Sequence, residues 1–409
     1  MSQTATKTAA EAQSKYVIPK QCKAGVVVNE GPDFHVEVRD VDVPVPGPEE
    51  VLIKLNATGL CMSDIHFMMN DWAVPKMSEF GTQCAGHEGA GVIVQLGERV
   101  KSLKVGQRAG FKPIVDVCHI CDNCRGGKET YCTGAILTGL HADGRSLMLD
   151  EISEIGVREE LTVTAGSYKE YIVSPERYTS LIPDGVSDYV AGPIMCSAST
   201  AYSSIKESNL RPGQWAVFPG GGGGVGIQGV QLAVAMGLRV VVVDTGDERR
   251  QMCKKYRAEH FVDFKEVEDP AAEVVRLTNG GAHAVYVTAV QSYPKSLEYL
   301  GGRVGGQVMW YVISSSLAGN SLTIESIGLP PVGSFHIDVN PSALAFKNQS
   351  IKGTLVSGLA DVDETLDFAR RGLLQLEPTV VGMSKFNESC QKLRRGEVAG
   401  RIVVDFNKP

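Results

Sequence analysis

The sequence predicts an α/β protein: a doubly wound parallel sheet preceded by a mostly antiparallel β domain. Three observations carry this. Short β-branched runs, separated by turn residues, fill the first third. From about Gly192, strands alternate with helices. A glycine run at 220–224 falls between the first of those strands and its helix.

In chain order, strands are expected at Ala24–Val28, Phe34–Val41 and Val51–Ala57, with Pro44-Val45-Pro46-Gly47-Pro48 as the clearest turn. Gly89–Leu96 is another, closed by Gly97-Glu98. Ala216–Pro219 is a short apolar strand, and Ile227–Met236 a helix that Gly237 ends. Arg239–Asp244 is a valine run, as a strand buried on both faces requires. The alternation continues with helix Glu248–Tyr256, strand His260–Phe264, helix Ala271–Thr278, strand Ala284–Ala289, helix Pro294–Leu300 and strand Gln307–Ile313. A strand at Ile351–Ser357, helices at Val362–Arg371 and Asn387–Arg395, and a strand at Arg401–Phe406 close the chain. This tail is expected to return to the first domain. The division is thus a frayed tail at 1–20, a first domain at 21–191, a second at 192–350 and a bridging segment at 351–409.

Composition bounds the function. The chain has 409 residues, 43% hydrophobic and 21% charged, which argues against disorder and fits two domains. Its longest apolar runs, such as Val240–Val243 and Val308–Ile313, are too short to cross a bilayer. With 40 basic and 47 acidic side chains and no basic stripe, a nucleic-acid or anionic-membrane surface is not expected. Met1–Tyr16 is small and polar, without the apolar core of a secretory signal. A cytoplasmic location is therefore expected, where disulfides are rare and clustered cysteines mean metal.

Five of the ten cysteines lie between Cys84 and Cys132. Cys118, Cys121, Cys124 and Cys132 follow a C-x2-C-x2-C-x7-C spacing. Four thiolates on one loop close a tetrahedral zinc shell and leave no open position, so such a site braces the loop rather than catalysing. Four unligated thiols and a zinc-ribbon nucleic-acid module are the alternatives; reducing conditions speak against the first, and the absence of flanking Lys/Arg against the second. A second, dispersed group comprises Cys61, His87, Glu88 and Cys196. Two thiolates, an imidazole and an open fourth position make a catalytic zinc, but spacing does not prove it: taken alone, each cysteine is more often a small buried hydrophobe and a lone histidine more often a satisfied core side chain.

Gly221-x-Gly223-x-x-Gly226, with Gly224 and Val225 inside it, lies between a strand and a helix, and Asp244 ends the next strand. Glycines there permit a tight turn and close backbone approach to a pyrophosphate, the helix N-terminus supplies N–H donors, and the carboxylate accepts from ribose hydroxyls. Asp244 favours NAD over NADP, since it repels a 2′-phosphate; Arg249 and Arg250 soften that preference or are simply solvated.

Taken together, these motifs resemble the zinc-dependent alcohol dehydrogenases of the medium-chain dehydrogenase/reductase superfamily, the yeast-type tetrameric branch above all. The resemblance runs from about Gln21 to Asp405. It rests on Cys61-Met62-Ser63-Asp64-Ile65-His66, Asn70-Asp71-Trp72, Gly86-His87-Glu88-Gly89-Ala90-Gly91, the four-cysteine loop, Gly220–Gly226, Asp244, Gly280-Gly281-Ala282-His283 and Gly400-Arg401. It implies a GroES-like catalytic domain and a Rossmann cofactor domain, one catalytic and one structural zinc, NAD(H), a homotetramer and a small alcohol or aldehyde as substrate. It further implies that Cys61, His87 and Cys196 hold the catalytic metal, that Asp64 accepts from His87, and that Glu88 tunes the metal's charge. Ser63 and His66 would carry the proton away from a zinc-held alkoxide, whose carbon gives hydride to the nicotinamide. Trp72 would line the substrate pocket and Arg401 would contact the pyrophosphate.

The chain departs from the family pattern in three places. Met62 stands where many relatives carry His or Arg against the pyrophosphate, which predicts weaker cofactor binding. Ser78–Ala85 lacks the usual proline- and valine-containing run, which reshapes the pocket near Trp72. Two segments, Ser146–Thr164 and Tyr311–Ser326, are additional; each reads either as a lid over the cleft or as the product of an unspliced intron. A dedicated carbonyl reductase acting on a bulkier substrate, and a catalytically silent cofactor-binding relative, are the alternative functions. The complete Cys61/Ser63/His66/His87/Cys196 set argues against the second.

Overall fold

In a computed structural model of the chain, the described residues are 16–71, 76–80, 83–138, 166–312 and 339–409. Trp72, the segment 146–164 and residues 313–326 of the second additional segment lie outside them, as do residues 1–15 of the expected tail. Tyr16 and Ile18 pack on a small cluster with Cys22, Leu52 and Tyr171.

Strands β1 (Gln21–Val28) and β2 (His35–Asp42) form an antiparallel hairpin. The first large sheet is built from β3 (Glu50–Gly59), β4 (Gly89–Leu96) and β5 (Arg108–Phe111). A small ribbon, β6 (Ile114–Asp116) with β7 (Ile136–Leu137), flanks the four-cysteine loop. β8 (Tyr171–Pro175) also pairs with β3, and β9 (Ser180–Leu181) pairs with β5. Every pairing among these strands is antiparallel.

The second sheet is wholly parallel: β10 (Trp215–Pro219), β11 (Arg239–Asp244), β12 (His260–Asp263), β13 (Ala284–Val287), β14 (Gln307–Val312) and β15 (Ser350–Leu355). Their order is β12-β11-β10-β13-β14-β15. The direction of winding reverses between β10 and β13, and a crevice opens there outside the strand ends. Alternate residues along the strands enter different cores. Ala216, Phe218, Val240, Val242 and Tyr286 face one layer, and Val217, Val241, Val243, Val285 and Trp310 face the other. That two-sided burial explains the unbroken valine run.

Finally β16 (Thr379–Val381) and β17 (Ile402–Asp405) join the first sheet, giving β16-β17-β3-β4-β5-β9. β17 pairs with β3 from Val403 opposite Gly59 to Asp405 opposite Ala57. The end of the chain thus returns to the first sheet. Among the described residues no helix is long and apolar enough to cross a membrane.

One local expectation is corrected, and one helix was not foreseen. Pro294–Leu300 is not a helix; only isolated 3₁₀ turns form, at Val290–Ser292 and Glu298–Leu300. Tyr293, Tyr299 and Leu300 are all pulled into the core beside Trp310, and the backbone follows that packing. Conversely, Asp188–Glu207 forms an interrupted helix that small residues and Pro193 had concealed.

Candidate functional site

Cys61 ends the run after β3 in an extended conformation and begins the helix Met62–Met69. The backbone N–H of Cys61 donates to Asp64 Oδ2 at 3.3 Å, a capping box that orients the first turn. Asp64 is buried and does more than cap. It accepts from Gly86 N at 3.0 Å, from Tyr168 Oη at 3.0 Å and from Nδ1 of His87 at 2.7 Å. One carboxylate therefore fixes the start of a helix and the tautomer of a distant histidine.

Cys196 lies in a wide π-type turn, Ile194–Ala198, that follows Pro193. The proline lacks an N–H and interrupts the helical ladder. The Cys196 carbonyl accepts from the backbone N–H of Ser199 and also from the hydroxyls of Thr200 at 2.6 Å and Ser199 at 3.2 Å. The turn sets the Cys196 thiol against Cys61, His87 and Glu88, and the ligand atoms of all four lie within 4.8 Å of one another. All four residues are buried, and among the described residues Nε2 of His87 has no hydrogen-bond partner. An orphaned imidazole nitrogen facing two thiols is the donor set a tetrahedral zinc takes, so the residues present fit that ion.

The electrostatics agree. The Cys61 thiol is held well below its ordinary value, chiefly by a hydrogen bond from Cys196 against the cost of burial, with His87 and Arg401 helping. Cys196 is correspondingly pushed up by Cys61 and by burial. Glu88 forms a buried ion pair with Arg401, and a Cβ on Gly59 would collide with the Glu88 carboxylate. Arg401 also lies against Gly224 of the glycine loop, so one guanidinium sits between the metal-ligand group and the loop.

A cleft of about 620 Å³ opens beside this group. Cys61, Met62, Ser63, His66 and Cys196 line one end. Gly223, Gly224, Val225, Asp244 and Arg401 line the other. Ser63 Oγ lies 3.7 Å from the Cys61 sulfur. Gly220 adopts φ +83°, and a Cβ on Gly226 would strike the backbone of Gly220 and Gly221. Asp244 accepts from Gly222 N at 2.9 Å and Thr245 N at 2.8 Å. The cradle that glycine alone permits fits a dinucleotide pyrophosphate, and the carboxylate at the end of β11 is placed for its ribose.

The second group stands on the loop after β6. Its four sulfurs, of Cys118, Cys121, Cys124 and Cys132, lie within 4.8 Å of one another. Amides of Cys118 and Cys121 point at sulfurs, at 3.3 and 3.4 Å. The thiols are not disulfide-bonded, and the set fits a closed structural zinc. From this loop Glu129 reaches across to cap the helix Leu359–Arg370, accepting from Leu359 N at 2.7 Å and from Tyr178 Oη at 2.9 Å. Leu355 N donates to Tyr131 Oη at 3.1 Å.

The structure thus brings together every described residue proposed for each metal group, and Ser63 and His66 join the first. Thr200 and Glu129 went unnoticed as site neighbours, Asp71 was seen only as part of a motif, and Arg249 was read as either softening the Asp244 preference or solvated. Arg249 is bound to the Gly396 and Val398 carbonyls at 2.8 and 3.2 Å and faces Asp244 at 3.5 Å. No local spacing announces any of these contacts, because each joins segments distant in sequence or depends on one turn's geometry.

Comparison with known proteins places these features in context. Residues 47–184 match the alcohol dehydrogenase GroES-like domain, and residues 224–371 match the zinc-binding dehydrogenase domain. An alcohol dehydrogenase of Schizosaccharomyces pombe is 33% identical over 96% of this chain and 99% of its own length. Alcohol dehydrogenase 1 of Neurospora crassa is 34% identical, again over 96% of this chain and 99% of its own. Among solved structures, the benzyl alcohol dehydrogenase of Acinetobacter calcoaceticus superposes with a TM-score of 0.74 at 22% identity, covering 95% of this chain and 99% of that one. The acetophenone reductase of Geotrichum candidum, solved in complex with NAD, gives 0.73 at 22% identity, covering 96% of this chain and 100% of the other.

Proposed function

The chain belongs to the zinc-dependent alcohol dehydrogenases of the medium-chain dehydrogenase/reductase superfamily, and from that premise we propose that it interconverts a small alcohol and its aldehyde with NAD(H). The observation that carries this reading is the convergence of Cys61, His87 and Cys196 at one end of a cleft whose other end is the glycine loop.

Cys61, His87 and Cys196 hold the catalytic zinc, with Asp64 orienting His87 and Glu88 beside the group, balanced by Arg401. A bound zinc supplies Lewis-acid polarisation of the substrate oxygen, and NAD(H) supplies or accepts the hydride. The chain's own work is to bind, orient and move a proton. Ser63 takes the substrate hydroxyl proton and passes it toward His66. Gly221, Gly223, Gly224, Val225 and Gly226 seat the pyrophosphate with Arg401 nearby. Asp244 accepts from the adenosine ribose and disfavours a 2′-phosphate. Trp72 belongs to the pocket in this reading, and the four-cysteine loop is braced by the second zinc. The division at 21–191, 192–350 and 351–409, a homotetrameric assembly and a cytoplasmic site of action belong to the same reading.

The test is nicotinamide absorbance on the purified protein with NAD or NADP and a panel from ethanol to aromatic alcohols and their aldehydes, before and after chelation. Turnover of small primary alcohols with NAD, lost on chelation and restored by zinc, is expected. Activity confined to a bulky carbonyl would replace this reading with a pathway reductase. Metal-independent turnover would remove the zinc from it.

A further inference from the structure

We propose that Asp71 is the positioning residue of His66, holding the imidazole in the tautomer that accepts a proton from the cleft and marking where that proton leaves. This rests on the oxidoreductase reading above, because it concerns the fate of the proton that accompanies the hydride.

The arrangement follows from one turn. Asn70 closes the helix Met62–Met69 in the left-handed region, at φ 49°. Its N–H returns to Phe67 O at 3.1 Å, and that of Asp71 points back to His66 O at 3.4 Å. The chain doubles back, and the Asp71 carboxylate comes to 2.8 Å from Nδ1 of His66. Neither side chain floats on the surface: the exposures are 10% for His66 and 18% for Asp71. His66 lines the cleft with Cys61, Ser63 and Cys196.

An ionised carboxylate only accepts hydrogen bonds. Nδ1 of a neutral His66 therefore carries the hydrogen, and Nε2 carries the lone pair. A histidine so held is a base, and the same logic orients the general base of hydrolases. In alcohol oxidation the C–H bond breaks and its electron pair goes with hydrogen to the nicotinamide ring. The O–H bond breaks and its proton, relayed by Ser63, forms a bond to Nε2. The products are aldehyde, NADH and one proton, held for the moment as an imidazolium. Four arginines, Arg249, Arg394, Arg395 and Arg401, line the same cleft and oppose that charge. Asp244, Glu397 and Glu88 partner three of them. Asp71 is the carboxylate in contact with the ring itself, and as the more exposed of the two it faces the way out to water.

The experiment uses zinc-loaded protein labelled with ¹⁵N-histidine. Long-range ¹H–¹⁵N spectra read each ring's tautomer, and His66→Gln assigns the signal among the eight histidines. His66 is expected as the Nδ1–H form in the wild type and as a tautomer mixture in Asp71→Ala. Asp71→Asn preserves the shape and removes the charge. Its kcat is expected to fall about 100-fold, the lower end of what a positioned acid–base group contributes. Its KM for NAD is expected to stay within about twofold, since no cofactor contact is lost. Added formate should restore turnover in Asp71→Ala and not in Ser63→Ala. An Nε2–H tautomer in the wild type would overturn the assignment, as would an unchanged kcat in Asp71→Asn or formate-insensitive loss in Asp71→Ala. A wild type with the Nδ1–H tautomer but no turnover of any alcohol would instead overturn the dehydrogenase reading, and the relay with it.

Discussion

Oδ1 of Asp64 lies 2.7 Å from Nδ1 of His87, while Oδ2 of the same carboxylate takes the Cys61 amide. Two residues proposed as zinc ligands, 26 positions apart in the chain, are therefore placed by one side chain. Replacing Asp64 by Asn keeps its size but removes the charge and turns one of its two acceptor oxygens into a donor, so it can no longer serve Cys61 and Tyr168 on one side and Gly86 and His87 on the other. We expect zinc content and turnover to fall together by about 10- to 100-fold. Metal analysis of the purified variant is the check, and full zinc occupancy with wild-type rates would show that the placement is redundant.

Burial disfavours a charge on His87, but the Asp64 carboxylate and Cys61 overcome it and hold the metal-free ring up to about 10, against an ordinary 6.5. The folded value lies above the unfolded one, so this stabilisation is complete below about 6.5 and lost as pH climbs toward 10. Metal-free protein is thus expected to lose thermal stability across that window. Zinc displaces the same proton, so its affinity should rise over the same range. Calorimetry in buffers of different ionisation enthalpy measures the proton released; zero release near neutral pH would contradict the account.

The glycine loop separates two roles that sequence alone merges. A Cβ on Gly226 would meet backbone, 2.5 Å from the Gly221 Cα, whereas one on Gly223 has only the Gly220 carbonyl nearby, at 3.3 Å. Gly226→Ala is expected to destabilise the fold by a few kcal/mol, as overpacking against fixed backbone does. Gly223→Ala should melt like the wild type and yet bind NADH poorly, since its methyl would point into the cleft. Melting curves alongside NADH fluorescence titrations decide, and equal stability in the two variants would count against this division.

Glu129 gives the four-cysteine loop a grip on the cofactor-binding half of the molecule. Glu129→Ala leaves Leu359 N and the Tyr178 hydroxyl without their acceptor. A loss of about 1–3 kcal/mol in unfolding free energy is expected, less for Glu129→Gln. Urea titration with an unchanged slope is the measure, and a variant as stable as the wild type would show that water replaces the cap at no cost.

Met62 lines the cleft where a cation is expected from the family pattern. Met62→Arg should tighten NADH binding about tenfold, or roughly 1.4 kcal/mol. Alcohol oxidation should slow in step if cofactor release limits it. An unchanged dissociation constant would mean that the cleft's other arginines already serve the pyrophosphate.

Much of this architecture was legible because its signals are short-range. The valine strand Arg239–Asp244 and the glycine loop declare themselves through continuous burial and forced backbone geometry. The four-cysteine spacing does so through the reach of a single loop. Cys61, His87 and Cys196 did not; their convergence needs the π-type turn after Pro193 and the Asp64 bridge, neither of which has a periodic signature. The helix expected at Pro294–Leu300 gave way to tertiary packing of two tyrosines. Asp71 was visible as part of a motif, but its contact with His66 depends on the left-handed turn at Asn70. Glu129 and Leu359 are 230 positions apart, beyond any local pattern.

The pairing of Asp405 with Ala57 has a consequence for how the protein is made. These partners are separated by 348 residues, so β3 waits for its neighbour while nearly the whole chain is translated. At about 5–20 residues per second, that wait is roughly 20 to 70 s. During it, the Ala57–Gly59 end of one β3 edge stands open although β8 covers Glu50–Lys54, Cys61 and His87 lack Cys196 for the first two-fifths of the wait, and Glu88 lacks Arg401 throughout. A nascent chain in that state has thiols ready to capture metal before the second sheet exists and a short unpaired stretch of strand edge at Ala57–Gly59. Slow release or chaperone cover of the emerging first domain, and zinc delivery timed to the end of synthesis, are therefore as much a requirement of this topology as any contact in the finished enzyme.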